Sequence, residues 1–225
     1  MDRPRFRAAA DILALPLSDS QLDEFEKFED GLYAANEMMN LTRVPREECW
    51  LRHFLDSLLF QDLIPLRASV LDIGSGPGFP AWPLAVARPD LHVTALDSSG
   101  KMVTFLQRFP LANLRTILGR AEEWRVRDQF DVVTGRAVAP LPIQLELSAP
   151  ACVLEGIVVP MRTPADREAI DAFRGAGLGL RLERVDTRRL PGTDVVRLFP
   201  IFRKEMTTED RYPRTWAEIK RSPLT

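Results

Sequence analysis

The chain has 225 residues, and its 45% hydrophobic and 28% charged content excludes a disordered or fibrous protein. Two cysteines are too few for a disulfide scaffold or a cysteine zinc site, and no apolar run approaches the roughly 18 residues of a membrane span. The net charge of −2 excludes an overall polycation. Residues 181–225 nevertheless carry 11 basic and 7 acidic residues, which indicates either a surface that binds a polyanion or an ordinary solvated surface. We therefore expect a cytoplasmic protein with no membrane partner.

Residues 1–66 have a helical pattern. Ser20 is the predicted N-cap of a first helix, whose apolar positions are three or four residues apart: Leu22, Phe25, Phe28, Leu32 and Ala35. A second helix is predicted over 51–59 and ends before Pro65. We predict that residues 1–66 form a helical extension packed on a core domain of residues 67–225.

The pattern changes at Ser69 to short apolar runs that alternate with helical stretches. Five strands are predicted at 70–73, 92–97, 116–119, 130–134 and 156–161, with helices at about 80–88, 99–109, 140–150 and 164–175. Two more strands, 180–185 and 195–202, flank a turn at 190–192. This order predicts an α/β protein with a mostly parallel, seven-stranded, Rossmann-like sheet ending in an antiparallel hairpin. That is the class I fold of methyltransferases that use S-adenosyl-L-methionine (SAM).

The strongest local motif is Asp72-Ile73-Gly74-Ser75-Gly76-Pro77-Gly78, directly after the first predicted strand. Glycines there allow a tight turn and bring a ligand against bare N–H groups. The G-x-G-x-G spacing recurs in SAM enzymes and differs from the G-x-G-x-x-G of a dinucleotide site. Gly74, Gly76 and Gly78 are therefore candidate cofactor-binding residues, and a glycine turn without a ligand is the alternative.

Acidic residues at the next two strand ends are further candidates. Asp97 closes the second strand, where a carboxylate accepts both ribose hydroxyls of an adenosyl group, or caps the following helix. Ala121 and Glu122 follow the third strand, where an adenine edge would lie. The alternative for Glu122 is a solvated surface acid.

Other conspicuous residues favour structural roles. Phe79 and Trp82 follow the glycine loop and suit the core better than a ligand-stacking position. His53, beside Arg52, is interpreted as a structural histidine, and Cys152 as a buried structural cysteine. No metal-ligand spacing and no Ser/His/Asp set is present, so no metal is expected. The chain also lacks an Asn-Pro-Pro-Tyr or Asp-Pro-Pro-Tyr run, which leaves a ring nitrogen open as the methyl acceptor.

Taken in order, the motifs are similar to those of the bacterial 16S ribosomal RNA guanine-N7 methyltransferases, also called the glucose-inhibited division protein B family. The resemblance runs from about residue 22 to residue 224. It rests on Asn40-Leu41-Thr42, Arg52-His53-Phe54-Leu55-Asp56-Ser57-Leu58, the glycine loop with Phe79-Pro80, Leu96-Asp97-Ser98-Ser99-Gly100-Lys101, Gly119-Arg120-Ala121-Glu122-Glu123, Phe130-Asp131-Val132-Val133, Arg136-Ala137-Val138-Ala139, Arg211-Tyr212-Pro213-Arg214 and Pro223-Leu224.

The resemblance implies methyl transfer from SAM to N7 of a guanine in the decoding region of 16S RNA, with S-adenosyl-L-homocysteine as the product. It implies cofactor contacts at Gly74, Phe79, Ala121, Glu122 and Arg136, and we add Asp97 and Ser98 to this set. Asn40 and Arg136 are implied to matter for activity and are the candidate catalytic residues. The expected partner is 16S rRNA, the small ribosomal subunit or its precursor. No DNA is expected, and the protein is expected to be a monomer.

The chain departs from the family pattern at four places, one of which is the segment between Lys101 and Gly119, which is short and broken by Pro110. Ala81 stands where Gly is usual, Gly135 where Ser is usual, and Arg162 must replace a usual Lys. Basic side chains that could hold the RNA backbone are Arg43, Arg188, Arg189, Arg203, Lys204, Arg211 and Arg214. Three alternatives stay open: a SAM methyltransferase for a small molecule or protein, a non-catalytic RNA-binding or nucleotide-binding module, and an NAD-dependent oxidoreductase.

Overall fold

The computed structural model describes residues 1–175 and 177–224, and helices dominate its N-terminal part. Helix α1 covers Arg3–Ile12, α2 covers Asp19–Met39, and a π-helical segment, Trp50–Leu55, continues into α3, Asp56–Leu58. Sequence patterns missed α1, which is short and rich in charge. Its start is fixed by Asp2, whose side chain accepts a hydrogen bond from the Arg5 N–H.

The predicted cap of α2 was wrong by two residues. Ser18, not Ser20, is the N-cap, and its hydroxyl accepts a hydrogen bond from Gln21 N at 3.2 Å. The Gln21 side chain in turn accepts from Ser18 N at 2.9 Å. This reciprocal capping box satisfies two backbone groups, which a cap at Ser20 would leave without partners.

A single seven-stranded sheet forms the centre of the molecule, in the order β3-β2-β1-β4-β5-β7-β6. Pairing is parallel from β3 across to β5 and antiparallel at β5–β7 and β7–β6. The predicted fold class is therefore confirmed. The strands are β1 Ser69–Ile73, β2 His92–Asp97, β3 Leu114–Leu118, β4 Phe130–Arg136, β5 Cys152–Met161, β6 Leu180–Arg189 and β7 Val196–Lys204.

The remaining helices are α4 Ala81–Ala87, α5 Gly100–Leu106, α6 Leu141–Ser148, α7 Arg167–Ala172 and α8 Trp216–Arg221. Four of them occupy predicted stretches but are shorter than predicted; α5, for example, ends at Leu106 instead of 109. Helix α8 was not predicted, because its placement depends on a capping box and on contacts with the core. Among the described residues, none of the helices combines the length and apolar character that crossing a membrane demands.

The N-terminal helices and one face of the sheet share a hydrophobic core. Phe6, Phe25 and Phe28 are completely buried and belong to the same cluster as Trp82 and Val93. The Phe28 and Trp82 rings stack with centroids 4.1 Å apart. The interpretation of Trp82 as a core residue is confirmed, since its side chain is completely buried. Continuous apolar packing therefore fixes the helices relative to the sheet.

The opposite face of the sheet is covered by α6 and α7. Leu141, Leu145 and Ile170 of these helices pack with Leu71 and Val133 of the sheet. Cys152 is buried here without a disulfide, and burial raises the pKa of its thiol to about 12. Its interpretation as a structural cysteine is confirmed, because a nucleophilic cysteine needs a low pKa.

Candidate functional site

Two cavities lie side by side at the carboxyl ends of the parallel strands. The glycine-loop cavity, of about 350 Å³, is lined by Gly74, Asp97, Ser98, Ala121, Glu122 and residues around them. The arginine cavity, of about 360 Å³, is lined by His53, Asp56, Arg136, Arg162, Arg197 and their neighbours. Ala137 lines both cavities and has a φ of +55°, an unusual value for a residue with a side chain. The two cavities therefore meet at a strained point after β4.

The three glycines of the loop have different surroundings. Gly74, with a φ of +67°, lines the glycine-loop cavity, and its N–H donates to the Leu96 carbonyl at 2.8 Å. A Cβ added at Gly76 would meet nothing within 4 Å, whereas one at Gly78 would lie 2.7 Å from Leu106 Cδ1. Gly76 thus faces open space, and Gly78 allows α5 to pack closely.

Asp97 ties the glycine loop to the second strand. Its half-buried carboxylate accepts hydrogen bonds from Gly76 N and Ser99 N, both at 2.7 Å. The capping alternative was wrong, because Ser99 and not Asp97 is the N-cap of α5; Asp97 and Ser98 line the cavity. Each carboxylate oxygen of Asp97 has further acceptor capacity, so its bonds to the loop are compatible with ligand binding.

Ala121 and Glu122 line the glycine-loop cavity. The Glu122 carboxylate lies 3.5 Å from the Arg120 guanidinium, and only 8% of its side chain is exposed. Trp216 of α8 lines the same cavity. No sequence pattern pointed to Trp216, because it lies 94 residues further along the chain in a segment with little periodicity.

Asp72 lies beneath the glycine loop and was not among the predicted site residues. Its side chain is completely buried; one oxygen accepts from Ala81 N at 3.0 Å, and the other has no partner among the described residues. Burial raises the pKa of the Asp72 carboxyl to about 7, against the opposing effects of the Ala81 N–H and the Arg136 charge. The Asp72 carboxyl is therefore partly protonated near neutral pH, and it supports the loop.

A buried carboxylate organises the arginine cavity. Asp56, 1% exposed, accepts two hydrogen bonds from Arg197 of β7, at 2.9 and 3.1 Å, and Arg136 lies 3.5 Å from the same carboxylate. Two guanidinium groups therefore surround one carboxylate, which leaves the cluster with a net positive charge. The Asp56–Arg197 pair was missed because these residues are 141 positions apart in the sequence.

His53 connects Arg136 to the N-terminal helices. Its Nδ1 lies 3.1 Å from Arg136 Nη2, and its Nε2 lies 2.6 Å from the Thr42 hydroxyl. A guanidinium can only donate, so Nδ1 is the acceptor and the ring proton is on Nε2. Burial, followed by the charges of Arg136 and Arg52, lowers the pKa of His53 to about 3. The interpretation of His53 as a satisfied structural histidine is confirmed, and it lies within the candidate site.

Phe79 packs between these residues and the core. Its ring is 3% exposed and stacks on His53, with centroids 4.3 Å apart and planes at 4°. The Arg136 guanidinium carbon lies 5.2 Å from the same ring centroid. Phe79 is therefore a core residue, as interpreted, that also fixes the positions of His53 and Arg136.

Gly135 and Arg162, two of the family departures, belong to one buried cluster. Arg162 donates to Ala139 O at 2.8 Å and to the Gln144 side chain, and Gln144 donates to Gly135 O at 3.0 Å. A Cβ at Gly135 would lie 2.7 Å from both Gln144 Nε2 and the Ile73 carbonyl. Arg162, which is larger than the usual Lys, thus fits together with Gly135, which lacks the usual Ser side chain. Both lie beside the loop that separates the cavities.

The structure does not bring Asn40 to Arg136. Asn40 is the C-cap of α2, with a φ of +50°; its side chain is exposed and lines neither cavity. It lies two residues before Thr42, whose N–H is held by the Asn36 side chain at 2.8 Å. The role of Asn40 in activity therefore stays a prediction without a direct contact.

Most of the basic residues predicted to contact RNA are engaged within the protein. The prediction was wrong for Lys204, which is completely buried and donates to the Ala149 carbonyl. Arg188, Arg189, Arg203, Arg211 and Arg214 form ion pairs with Asp62, Asp194, Glu183, Glu209 and Glu146. Arg43 is exposed and forms no ion pair in the part of the chain that the structure describes.

Comparison with known families gives a match over most of the chain. The GidB family model, described as rRNA small subunit methyltransferase G, matches residues 21–183. Ribosomal RNA small subunit methyltransferase G of Lactobacillus helveticus is 34% identical over 223 residues, covering 92% of this chain and 93% of the relative. The protein of that name from Bacillus subtilis is 34% identical, covering 93% of each chain. That from Lachnoclostridium phytofermentans is 36% identical, covering 94% of this chain and 93% of the relative.

Solved structures with low sequence identity share the fold. M. jannaschii TYW2 in complex with AdoMet has a TM-score of 0.54 at 17% identity, covering 66% of this chain and 74% of that chain. A TehB-like SAM-dependent methyltransferase from Corynebacterium glutamicum has a TM-score of 0.52 at 16% identity, covering 68% of this chain and 88% of that chain. These similarities support the class I methyltransferase fold.

Proposed function

Because this chain belongs to the GidB family of rRNA small subunit methyltransferases, we propose that it transfers the methyl group of SAM to N7 of a guanine in the decoding region of 16S rRNA. Family membership makes the chain a SAM-dependent rRNA methyltransferase. The guanine, its N7 atom and its place in the decoding region are the proposed part. The product of the cofactor is S-adenosyl-L-homocysteine.

The glycine-loop cavity fits SAM in size and in chemistry. Its volume of about 350 Å³ is within the range of small-ligand pockets. Gly74 offers bare backbone, Asp97 offers acceptors for ribose hydroxyls, and Ala121 and Glu122 supply polar groups at the adenine end. We propose these four residues, with Ser98, as the cofactor contacts. Bound SAM supplies a methyl group that its sulfonium has already activated.

The observation that favours N7 is that every imidazole and carboxylate among the described residues lining the arginine cavity already has a hydrogen-bond or ion-pair partner. His53 has both ring nitrogens in hydrogen bonds, and Asp56 is held by Arg197. Asp166 accepts from the N–H and hydroxyl of Thr163. An amine or hydroxyl acceptor has to lose a proton on methylation, whereas guanine N7 has an exposed lone pair. The chain's main task is therefore to align the acceptor and exclude water.

We propose that Arg136 positions the guanine. It lies beside the point where the two cavities meet, with its guanidinium held by His53, Asp56 and the Phe79 ring. A planar cation suits the O6 oxygen of guanine or the adjacent phosphate. Burial lowers the Arg136 pKa, but an arginine stays protonated at neutral pH. Its charge is therefore available throughout the reaction.

The residues that line the two cavities include candidates for both the cofactor contacts and the acceptor contacts. We infer that the enzyme acts as a monomer on 16S rRNA, in the small ribosomal subunit or its precursor. The proposed substrate is assembled in the cytoplasm, and we place the reaction there.

The test is methyl transfer from labelled SAM to small ribosomal subunits and to RNA extracted from them, followed by nucleoside analysis. We expect 7-methylguanosine at a single site. Arg136→Ala should lower the rate by on the order of a hundredfold, while Arg115→Ala, which removes an exposed arginine of β3, should leave it unchanged. A labelled methyl group at another atom of the RNA would contradict the proposal. So would a protein that binds SAM but labels neither RNA substrate. Normal turnover by folded Arg136→Ala would reject the role of Arg136 alone.

A further inference from the structure

We propose that Trp216 forms a wall of the cofactor site and contacts the adenine end of SAM, so that the C-terminal helix is part of that site. Trp216 is the first residue of α8 and lines the glycine-loop cavity together with Ala121 and Glu122. It also lines a neighbouring groove of about 830 Å³ between residues 122–127 and 210–218. The inference rests on the proposed cofactor.

Packing within the protein does not explain the position of Trp216. Its side chain is 38% exposed, and among the described residues it belongs to neither hydrophobic cluster. By contrast, Trp82 is completely buried, and Trp124 packs at 6.1 Å from the Phe130 ring centroid. The Trp216 indole borders a cavity and packs in neither hydrophobic cluster. It therefore presents a large apolar surface that a ligand ring can cover.

The segment that carries Trp216 is held firmly before any ligand binds. Arg214 forms two hydrogen bonds with the completely buried Glu146, at 2.8 and 2.6 Å. Thr215 and Glu218 form a capping box at the start of α8, and Ile219 is completely buried. A side chain held in this way loses little conformational entropy on binding.

The neighbouring residues indicate which part of SAM lies near Trp216. Ala121 and Glu122 follow β3, where the sequence predicts the adenine edge, and Asp97 marks the ribose position at the end of β2. The Glu122 carboxylate is an acceptor suited to the exocyclic amine of adenine. A purine has a flat apolar face and polar edges, so an indole next to a carboxylate matches its two requirements. Stacking of a base on an aromatic ring changes affinity by roughly tenfold or more.

The experiment measures binding of S-adenosyl-L-homocysteine and SAM by titration calorimetry, without RNA. Trp216→Ala should raise the Kd of both ligands by roughly tenfold, as loss of a stacking ring does. Trp216→Phe should raise it by less than about threefold, because a ring is retained. Trp124→Phe is the matched control in the adjoining groove and should leave the Kd unchanged.

Indole fluorescence provides a second readout that does not depend on activity. Adding S-adenosyl-L-homocysteine should change the emission of the unmodified protein, and this change should be lost in Trp216→Phe while calorimetry still detects binding. An unchanged Kd in Trp216→Ala, or an emission change that persists in Trp216→Phe, would overturn the inference. If the unmodified protein bound neither SAM nor its product, the proposed cofactor itself would fail, which is a distinguishable result.

Discussion

Between about pH 3 and pH 7, Asp72 and His53 are both largely uncharged, and burial is the main reason in each case. Burial raises the pKa of Asp72 to about 7 and lowers that of His53 to about 3. The Arg136 charge shifts both pKa values downward, which opposes burial at Asp72 and adds to it at His53. Asp72 and His53 therefore add little charge near Arg136, and the charged groups beside it are the Asp56 carboxylate and the Arg197 guanidinium that Asp56 binds.

Replacing Asp72 should change how stability depends on pH. Between about pH 4 and pH 7, folded Asp72 keeps a proton that the unfolded chain releases, so the free energy of unfolding falls as the pH rises. Asp72→Asn carries no titrating group and should lack this contribution. Chemical denaturation at a series of pH values measures the difference between the two profiles.

His53 contributes the opposite slope over part of the same range. Between about pH 3 and pH 6.5 the unfolded chain binds a proton that folded His53 does not, so its contribution rises with pH. The informative quantity is therefore the difference between the unmodified protein and Asp72→Asn, not either profile alone. Asp11→Asn, at an exposed position in α1, is the matched control. A profile of Asp72→Asn parallel to that of the unmodified protein would contradict the prediction.

Residues at strand ends could be located from the sequence, and residues joined by tertiary contacts could not. Gly74, Asp97 and Glu122 follow predicted strands, and the ends of parallel strands meet at one edge of the sheet. The Asp56–Arg197 pair and Trp216 depend on packing between distant segments, which leaves no local pattern. The functional roles of all these residues stay predictions.

The loop after β4 is the element that joins the two cavities. It follows Arg136, the last residue of β4, and begins with the strained Ala137; the side chains of Arg162 and Gln144 bond to Ala139 O and Gly135 O on its two sides. Gly135 fits only because it has no side chain. The geometry of this loop therefore depends on a cluster that departs from the family pattern.

Gly135→Ser should destabilise the protein and reduce methyl transfer. The added Cβ would lie 2.7 Å from the Ile73 carbonyl, so the backbone has to shift, and overpacking of this kind costs about 1–3 kcal/mol. The shift would also move Arg136. Thermal unfolding and methyl transfer to small subunits measure the two effects.

Gly100→Ala is the matched control for that substitution. A Cβ at Gly100, the first residue of α5, meets nothing within 4 Å, and alanine favours helix formation. We expect unchanged or slightly higher stability and unchanged activity. Equal stability and turnover in Gly135→Ser and the unmodified protein would show that the loop tolerates the usual family residue.

The positions of most strands and helices could be predicted from the apolar residues. Buried strands are continuous apolar runs, and amphipathic helices repeat an apolar residue every three or four positions. The five parallel strands all overlap their predicted positions, although β3 begins at Leu114 instead of 116 and β5 at Cys152 instead of 156. Helices α1 and α8 were missed, since their placement depends on capping and on contacts with the core. Strand β6 extends to Arg189 because it pairs with β7 along its length, beyond the apolar part of its sequence.

At the scale of the whole molecule, internal ion pairs limit the attraction for RNA. The C-terminal region has a surplus of basic residues, yet eight of its arginines pair with acidic side chains of the same chain. The overall charge is −2. Among the described residues of that region, few cations remain free to displace counterions from a phosphate backbone. Recognition should therefore depend on the shape of the assembled subunit more than on charge.

Binding to naked 16S RNA fragments should accordingly be weak, with a shallow dependence on salt. We expect log K to fall with log salt concentration with a slope no steeper than about −2, which corresponds to roughly three phosphate contacts on a single strand. Fluorescence anisotropy between about 50 and 200 mM salt measures this slope.

Arg43→Ala removes an exposed cation next to Val44 of the arginine cavity and should make the slope shallower by about 0.7. Arg189→Ala removes a cation paired with Asp194 and should leave it unchanged. A slope several times steeper would show that the internal pairs open on RNA, and a slope of zero would remove electrostatics from recognition altogether.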